Sequence, residues 1–463
     1  MAPAPFARFR FDRASPTPLQ RQLYDRIRAA IAEGRLRPGE RVPSARSLAA
    51  QLGVARGTID MAYARLSGDG ILLTRGQRGT IVSGAVPASR PAAVRAPVEA
   101  EPEGGIRPFQ LGLPALDLVP RNLWSRLVTR EVKRAAGGAL AFPVAMGLPA
   151  LRRAIASYLA VSRGIAAGPE QIAVTGGYQG ALDLAARLVL KKGDAVWFED
   201  HGYGFARNAL LGLGMRLLPV PVDEEGMNLA RVRRSKARLA VVTPAHQAPL
   251  GVTLSLARRQ ALLAWAREAR GFVLEDDYDC EFHYSGFKPA ALKSLDGDDR
   301  VFYAGSFSKT LFPALRLGWL VVPARFADEA ARHCRDLGRG HAALEQAALA
   351  AFLADGHFAR HLRRMRQAYK QRRQALADEL SDAFGDDVQF TLPPGGLHIV
   401  ARFPGRGGDK ALSARCARHG LAASPLSAQS MKYGAGEGLL LGFTNIAEKE
   451  VGAMAARLKR ALS

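Results

Sequence analysis

An α/β domain with a mainly parallel sheet, preceded by a small basic head of short helices and a hairpin, is the architecture this sequence predicts. Three observations carry it. From Pro108 onward, apolar runs of strand length (172–177, 195–200, 239–244, 271–277 and 301–306) alternate with amphipathic stretches of helix length, the pattern of crossover units. Residues 84–107 are Ala, Pro and charge with no apolar period, which marks a linker. Upstream of it, apolar residues recur every four positions and a Gly-bearing hairpin follows, as in short helices closed by a turn. The expected division is a head over 1–83, a linker over 84–107 and the α/β domain over 108–463. From about Glu345 that domain turns helical and closes in a smaller α+β subdomain.

Composition narrows the function classes. No apolar run approaches the roughly 20 residues that cross a bilayer, and no apolar core follows Arg8, Arg10 and Arg13 as it would in a signal peptide. A cytoplasmic protein with no membrane partner is the expectation. Cys280, Cys334 and Cys416 have no paired spacing, so neither a disulfide framework nor a metal site is expected. The net charge of +23 favours a polyanionic partner, and the head is the more basic part per residue.

In the head, Leu19, Leu23, Ile27 and Ile31 form one apolar stripe, and Gly34 ends that helix. Ser44 suits the N-cap of a second helix through Leu52. Gly53 makes the tight turn of a helix-turn-helix, and a third helix runs from about Ala55 to Leu66. Its first turn presents Arg56, Gly57, Thr58 and Asp60, the positions from which such a helix meets a major groove. Residues 71–82 place two strands around Gly-Gln-Arg-Gly, a basic wing carrying Arg75 and Arg78. Ser44, Arg46, Arg56, Gly57, Thr58, Arg75 and Arg78 are the candidate DNA contacts. The continuous run PLQRQLYDRIRAAIAEGRLRPGERVPSARSLAAQLGVARGTIDMAYARL, then GDGILLTRGQRGTIV, resembles the GntR family in order and spacing, which implies binding to double-stranded operator DNA. Gly57 stands where a polar residue such as Asn is common in that family.

In the α/β domain the most informative segment is AGSFSKTLFPALRLG at 304–318. Lys309 offers an amine to an aldehyde, while Ser306, Ser308 and Arg316 suit a phosphate dianion, as pyridoxal 5'-phosphate requires. VLEDDYDCEF at 273–282 ends a strand-like run with Asp276, Asp277 and Tyr278. One carboxylate suits a protonated pyridine nitrogen, and Tyr278 suits the ring hydroxyl. TGGYQGAL at 175–182 is a Gly-rich turn into a helix, where free N–H groups favour phosphate. Tyr203, in EDHGYGF at 199–205, can stack on a ring. TPAHQAPLG at 243–251 is a polar strand-end loop with His246 and Gln247.

Together these segments resemble fold-type I aminotransferases, and with the head they resemble the MocR/GabR regulators. The resemblance runs from Pro18 to about Leu462 and includes residues 344–373, PPGGLHIV at 393–400 and LLLGF at 439–443. It implies a fold-type I, pyridoxal-phosphate-binding large domain, with the cofactor on Lys309 as an internal aldimine. Asp276 would meet the pyridine nitrogen and Tyr278 the ring oxygen. Gly177, Tyr178, Gln179, Ser306, Ser308 and Arg316 would surround the phosphate, and a role for His246 follows from the same comparison, as does a homodimer. The sequence departs from the family at Phe142 (usually Tyr), His201 (usually Pro), Ala248 and Leu250. It also has Leu440 where an Arg clamps a substrate carboxylate. The implied function is a pyridoxal-phosphate-dependent transcription regulator that senses the cofactor itself, or an amine or amino-acid effector, through Lys309. The alternative is an active aminotransferase with an accessory DNA-binding domain, which the loss of the Arg opposes.

Overall fold

The apolar stripe of the head folds as helix α1 (Leu19–Ala32), which buries Leu23, Ile27 and Ile31. The chain is described here by a computed structural model covering residues 10–76, 79–84, 105–232, 236–284, 286 and 288–463. It divides into two units, Met1–Glu103 and Gly104–Ser463. Arg78 and linker residues 85–104 lie outside the described residues.

In the first unit, α2 (Ala45–Leu52) starts at Ser44, whose hydroxyl accepts the Ser47 N–H at 3.1 Å, and ends at Gly53 in the left-handed region. Helix α3 (Arg56–Gly68) follows. Strands β1 (Leu72–Thr74) and β2 (Thr80–Val82) pair antiparallel, Leu72 opposite Val82. The segment before α2 also joins this wing: Gly39 and Val42 donate N–H bonds to Val82 and Thr80. Leu23, Ile27, Leu48, Ile59, Leu66, Leu72 and Val82 are fully buried in one cluster. No helix here could bury its stripe alone, so hairpin and helices fold as one unit.

The second unit opens with α4 (Arg121–Arg134) and α5 (Pro149–Arg163). Strand β3 (Ile172–Thr175), α6 (Tyr178–Val189), β4 (Ala195–Glu199), α7 (Gly204–Gly212) and β5 (Arg216–Val220) come next. A short hairpin, β6 (Val222–Asp223) and β7 (Gly226–Met227), leads to β8 (Leu239–Val242), α8 (Leu256–Glu268) and β9 (Phe272–Asp276). Strands β10 (Val301–Ser306) and β11 (Gly318–Val321) complete the main sheet, whose order is β3-β11-β10-β9-β8-β4-β5. Strand β11 is antiparallel to both neighbours, and the pairs β10–β9, β9–β8, β8–β4 and β4–β5 are parallel. The apolar runs found in the sequence are β3, β4, β8, β9 and β10. Each is buried along its whole length, as strands covered on both faces must be. Their carboxyl ends, at Thr175, Glu199, Val242, Asp276 and Ser306, share one edge, where open α/β sheets bind ligands.

Helix α9 (Ala327–Asp336) precedes α10 (Ala343–Ala354), which packs on α4 and α5, and the long α11 (His357–Phe384). A second sheet follows, with β12 (Gln389–Phe390), β13 (His398–Arg402), β14 (Ser424–Pro425) and β15 (Leu439–Gly442) in the order β12-β13-β15-β14. Helices α12 (Asp409–Arg418) and α13 (Val451–Leu462) complete it. Ile399, Ala401, Leu439 and Leu441 enter the core that α11 and α13 share. By strand alternation His398, Val400 and Leu440 occupy the opposite face, with Val400 directly opposite Leu440. No helix among the described residues is long and apolar enough to cross a membrane.

Candidate functional site

At the carboxyl edge of the main sheet, β10 ends in Ser306. Its hydroxyl donates to Ser308 Oγ at 3.0 Å and accepts the Ser308 N–H at 3.2 Å. Ser306 pairs across β11 with Gly318, and Gly318 pairs on its other side with Thr175. A Cβ on Gly318 would lie 2.7 Å from the Gly305 carbonyl oxygen and 2.9 Å from Gly177 Cα, so only glycine lets β11 draw the Gly177 turn onto Ser306. Gly177 caps the start of α6. The first N–H groups of a helix have no partner within it, so the N–H groups of Tyr178 and Gln179 gather beside the two serine hydroxyls in a cradle for an oxyanion. Arg316 is exposed and takes a positive φ of 51°, an uncommon conformation for a non-glycine residue. Its charge is felt at Tyr203 and at His341. His341 borders the same turn: a Cβ on Gly176 would meet its ring at 3.3 Å.

Lys309 follows this cradle, its Nζ donating to the Gly112 carbonyl at 2.7 Å. Gly112 has φ 76°, a conformation that strains any other residue, and a Cβ there would lie 2.4 Å from that amine. Burial pushes the Lys309 amine below its ordinary range, and Asp276 and Asp279 pull it partly back. A lowered lysine is more often neutral, and the neutral form is the nucleophile.

The two adjacent carboxyls on β9 have separate roles. Asp277 is bound by the Arg163 guanidinium, Nε at 2.7 Å with both side chains 1% exposed, and by the Tyr303 hydroxyl at 2.5 Å. Asp276 has no such cation, and burial and then Asp277 raise its carboxyl well above the usual range. Tyr178 lies close enough to influence its titration. Tyr178, placed beside the phosphate by resemblance, has its backbone at the cradle as the first residue of α6. Tyr203 stands at the N-cap of α7, 43% exposed, with its ring 6.2 Å from that of Tyr178. The Tyr278 hydroxyl lies 3.0 Å from His246 Nδ1, which is itself 2.9 Å from Asp279 Oδ2. His246 thus orients Tyr278. Gln247 has a scaffolding job, donating to the carbonyls of His201 (2.6 Å) and Ala248 (2.8 Å). The neighbouring Glu199 accepts Thr243, and burial pushes its carboxyl up to about 7.

The departures from the family pattern have clear locations. Leu440 is fully buried, and its sheet face turns toward the 243–251 loop, because His398 on that face donates from Nε2 to the Pro249 carbonyl at 2.8 Å. Phe142 is 95% exposed. Sequence reasoning missed Gly112, Arg163, Tyr303 and His341.

In the head, Ser44, Arg46, Arg56, Gly57 and Arg75 are exposed and Thr58 is partly buried. Arg56 pairs with Asp60 at 3.2 Å on the α3 surface, and a Cβ on Gly57 would meet nothing within 4 Å. The start of α3 is an open cationic surface of the kind that enters a major groove.

The family described as bacterial regulatory proteins, gntR family, matches residues 19–82, and the family aminotransferase class I and II matches residues 120–435. The chain is 36% identical over 455 residues to the probable rhizopine catabolism regulatory protein MocR of Rhizobium meliloti, covering 95% of this chain and 92% of that one. It is 34% identical to the pyridoxine biosynthesis transcriptional regulator PdxR of Corynebacterium glutamicum, covering 83% of each. Among solved structures, the kynurenine aminotransferase of Pyrococcus horikoshii, in complex with PMP, superposes with a TM-score of 0.69 at 28% identity over 76% of this chain and 90% of that one. The two units of this chain are thus a gntR-type helix-turn-helix domain and a fold-type I aminotransferase domain, and the protein belongs to the MocR family of transcription regulators.

Proposed function

We propose that the protein binds operator DNA through its head and pyridoxal 5'-phosphate through the crevice of its C-terminal domain, and that a small molecule acting there sets DNA affinity. The observation that carries this reading is Lys309. Its buried amine lies within electrostatic reach of Asp276, beside a cradle made by Ser306, Ser308 and the start of α6. That donor set fits the cofactor's chemistry: an aldehyde for the amine, a phosphate for the cradle and Arg316, and a basic ring nitrogen for Asp276. When bound, the cofactor supplies an electron-accepting ring. Lys309 would hold it covalently, Asp276 would keep its ring nitrogen charged, Tyr278 would meet the ring oxygen and Tyr203 would cover a ring face.

The effector is the cofactor itself or an amine that competes with Lys309 for its aldehyde. The relative named for pyridoxine biosynthesis supports the first source. Leu440 supports sensing over turnover, since an α-amino acid would lack a bidentate guanidinium partner there. A ligand regulates only by binding two conformations unequally, and exchange at Lys309 offers that difference. The reading implies a cytoplasmic homodimer. Leu140, Phe142 and Val144 are 62%, 95% and 47% exposed, which suits an apolar interface, and two heads suit paired half-sites.

The test is an absorbance titration of purified protein with pyridoxal phosphate, beside Lys309→Ala, with DNA affinity measured at each end point and after adding amines. The expected result is a bound chromophore in the wild type only, and a change of DNA affinity within the 5–150-fold range usual for coupled sites. A wild type that stays colourless, or DNA affinity indifferent to cofactor and amines alike, overturns it. Sustained turnover of an amino acid with a 2-oxo acid would replace it with the enzyme reading.

A further inference from the structure

Glu199 ends β4, and Thr243 directly follows the end of β8, the parallel strand beside it. The Glu199 side chain is buried, and its Oε2 accepts three bonds. They come from the Thr243 N–H at 3.1 Å, the Thr243 hydroxyl at 2.6 Å and Gln247 Nε2 at 3.3 Å. The Thr243 oxygen in turn accepts the Ala248 N–H at 3.1 Å. Gln247 also donates to the carbonyls of His201 and Ala248, and its own carbonyl accepts the Gly251 N–H at 2.7 Å. Residues 243–251 are therefore folded around one carboxyl oxygen at the end of β4. Outside the sheet ladder, buried backbone groups need partners of this kind.

His246 rides on that loop, and its ring is closely walled. A Cβ on Gly251 would lie 3.0 Å from its Nε2, and one on Gly396 would lie 2.2 Å from its Cε1. On the other side of the ring, Nδ1 lies 3.0 Å from the Tyr278 hydroxyl and 2.9 Å from Asp279 Oδ2. With so little room, a shift of the loop backbone moves the ring and disturbs its contact with Tyr278.

We propose that Glu199 is a positioning residue for Tyr278: by fixing residues 243–251 it sets the His246 ring, which holds the Tyr278 hydroxyl toward the ring oxygen of pyridoxal phosphate. This rests on the cofactor reading given above. Glu199 touches no reacting atom in this arrangement. Its influence passes through the loop to one hydroxyl, as a supporting shell fixes the groups that meet a ligand. What the loop needs from residue 199 is an acceptor, which the amide oxygen of a glutamine also supplies and a leucine does not.

The experiment compares the full-length wild type with Glu199→Gln, Glu199→Leu and Thr243→Val. The last removes the hydroxyl that joins Glu199 to the Ala248 N–H. Each is titrated by absorbance with pyridoxal phosphate and with the analogue that lacks the ring hydroxyl. Glu199→Leu and Thr243→Val are expected to lose about tenfold affinity for pyridoxal phosphate, the size of one hydrogen bond. Both should bind the deoxy analogue as tightly as the wild type, which also shows that they are folded. Glu199→Gln should keep the wild-type affinity for both compounds. Unchanged pyridoxal-phosphate affinity in Glu199→Leu, an equal loss for both compounds, or a glutamine variant as weak as the leucine one overturns the proposal. Should Glu199→Leu fail to fold, the first two outcomes are read from Thr243→Val. A wild type that binds both compounds equally overturns this proposal and leaves the cofactor reading standing. A wild type that binds neither overturns both.

Discussion

The head and the C-terminal domain bury different kinds of groups. Among the described residues of the head, the only buried polar side chain is Ser83, and the ion pairs Arg21–Asp25 and Arg56–Asp60 stand on exposed helix faces. In the C-terminal domain Arg163, Glu199, Asp200, Glu275, Asp276 and Asp277 are all less than 10% exposed. Taking a charge out of water costs several kcal/mol unless it is paired, so such groups persist where they hold something else in place. The head folds on aliphatic packing and leaves its arginines for a polyanion. The C-terminal domain encloses charge to build a site. Removing an arginine should therefore damage the fold in one unit and only the ligand interaction in the other.

The largest expected effect is at Arg163. Arg163→Ala leaves Asp277 with the Tyr303 hydroxyl but no cation in a buried site, and breaking such a pair costs about 3–5 kcal/mol. Urea denaturation of the C-terminal transition measures it, and a loss below about 1 kcal/mol would erase the contrast between the units. A smaller, pH-dependent effect is expected at His398. Burial and the neighbouring His246 push its pKa from 6.5 down to about 4, so between these values the unfolded chain binds the extra proton. The stability this residue contributes is complete above pH 6.5 and is lost as pH falls toward 4. Glu199, raised to about 7, titrates with the opposite sign, so the comparison is with His398→Gln, in which Glu199 is unchanged. The wild-type Tm should fall further than that of His398→Gln over this window. Parallel curves would show that His398 takes up its proton in the folded state without cost.

The same contrast decides what could be read before the structure. Strands β3, β4, β8, β9 and β10 were legible because burial on both faces turns them into unbroken apolar runs. Strand β5 opens on an exposed Arg216 and contains Pro219, so it carries no unbroken apolar run. Lys309, Asp276 and Tyr278 were legible because each lies in or just beyond a strand end within a local motif. Their supports were not. Gly112 meets Lys309 across 197 residues, and Arg163 closes a helix with nothing in its neighbourhood to announce Asp277. Tyr178 was assigned by its position after two glycines, which locates its backbone at the start of α6.

In the head the expected effects are smaller and of another kind. Ser44→Ala removes the hydroxyl that accepts the Ser47 N–H and should cost about 1 kcal/mol in thermal or urea unfolding of the head. A neutral result would mean that water caps α2 equally well.

Arg56→Ala should change stability least, within about 0.5 kcal/mol, as for most surface substitutions. Its side chain is 70% exposed, and its partner Asp60 is 50% exposed, a pairing worth little in water. Its effect belongs to DNA. If the guanidinium meets phosphate, binding should weaken alike on operator and unrelated duplex, and the salt dependence should lose about one counterion. If it meets a base edge, the loss of about 1–3 kcal/mol should be confined to the operator and to one base pair of it. Affinity measured on both duplexes at several salt concentrations separates these outcomes. A variant whose head unfolds instead would show that this arginine carries part of the fold, and the division between a head folded on oil and a domain folded around charge would fail at an exposed arginine.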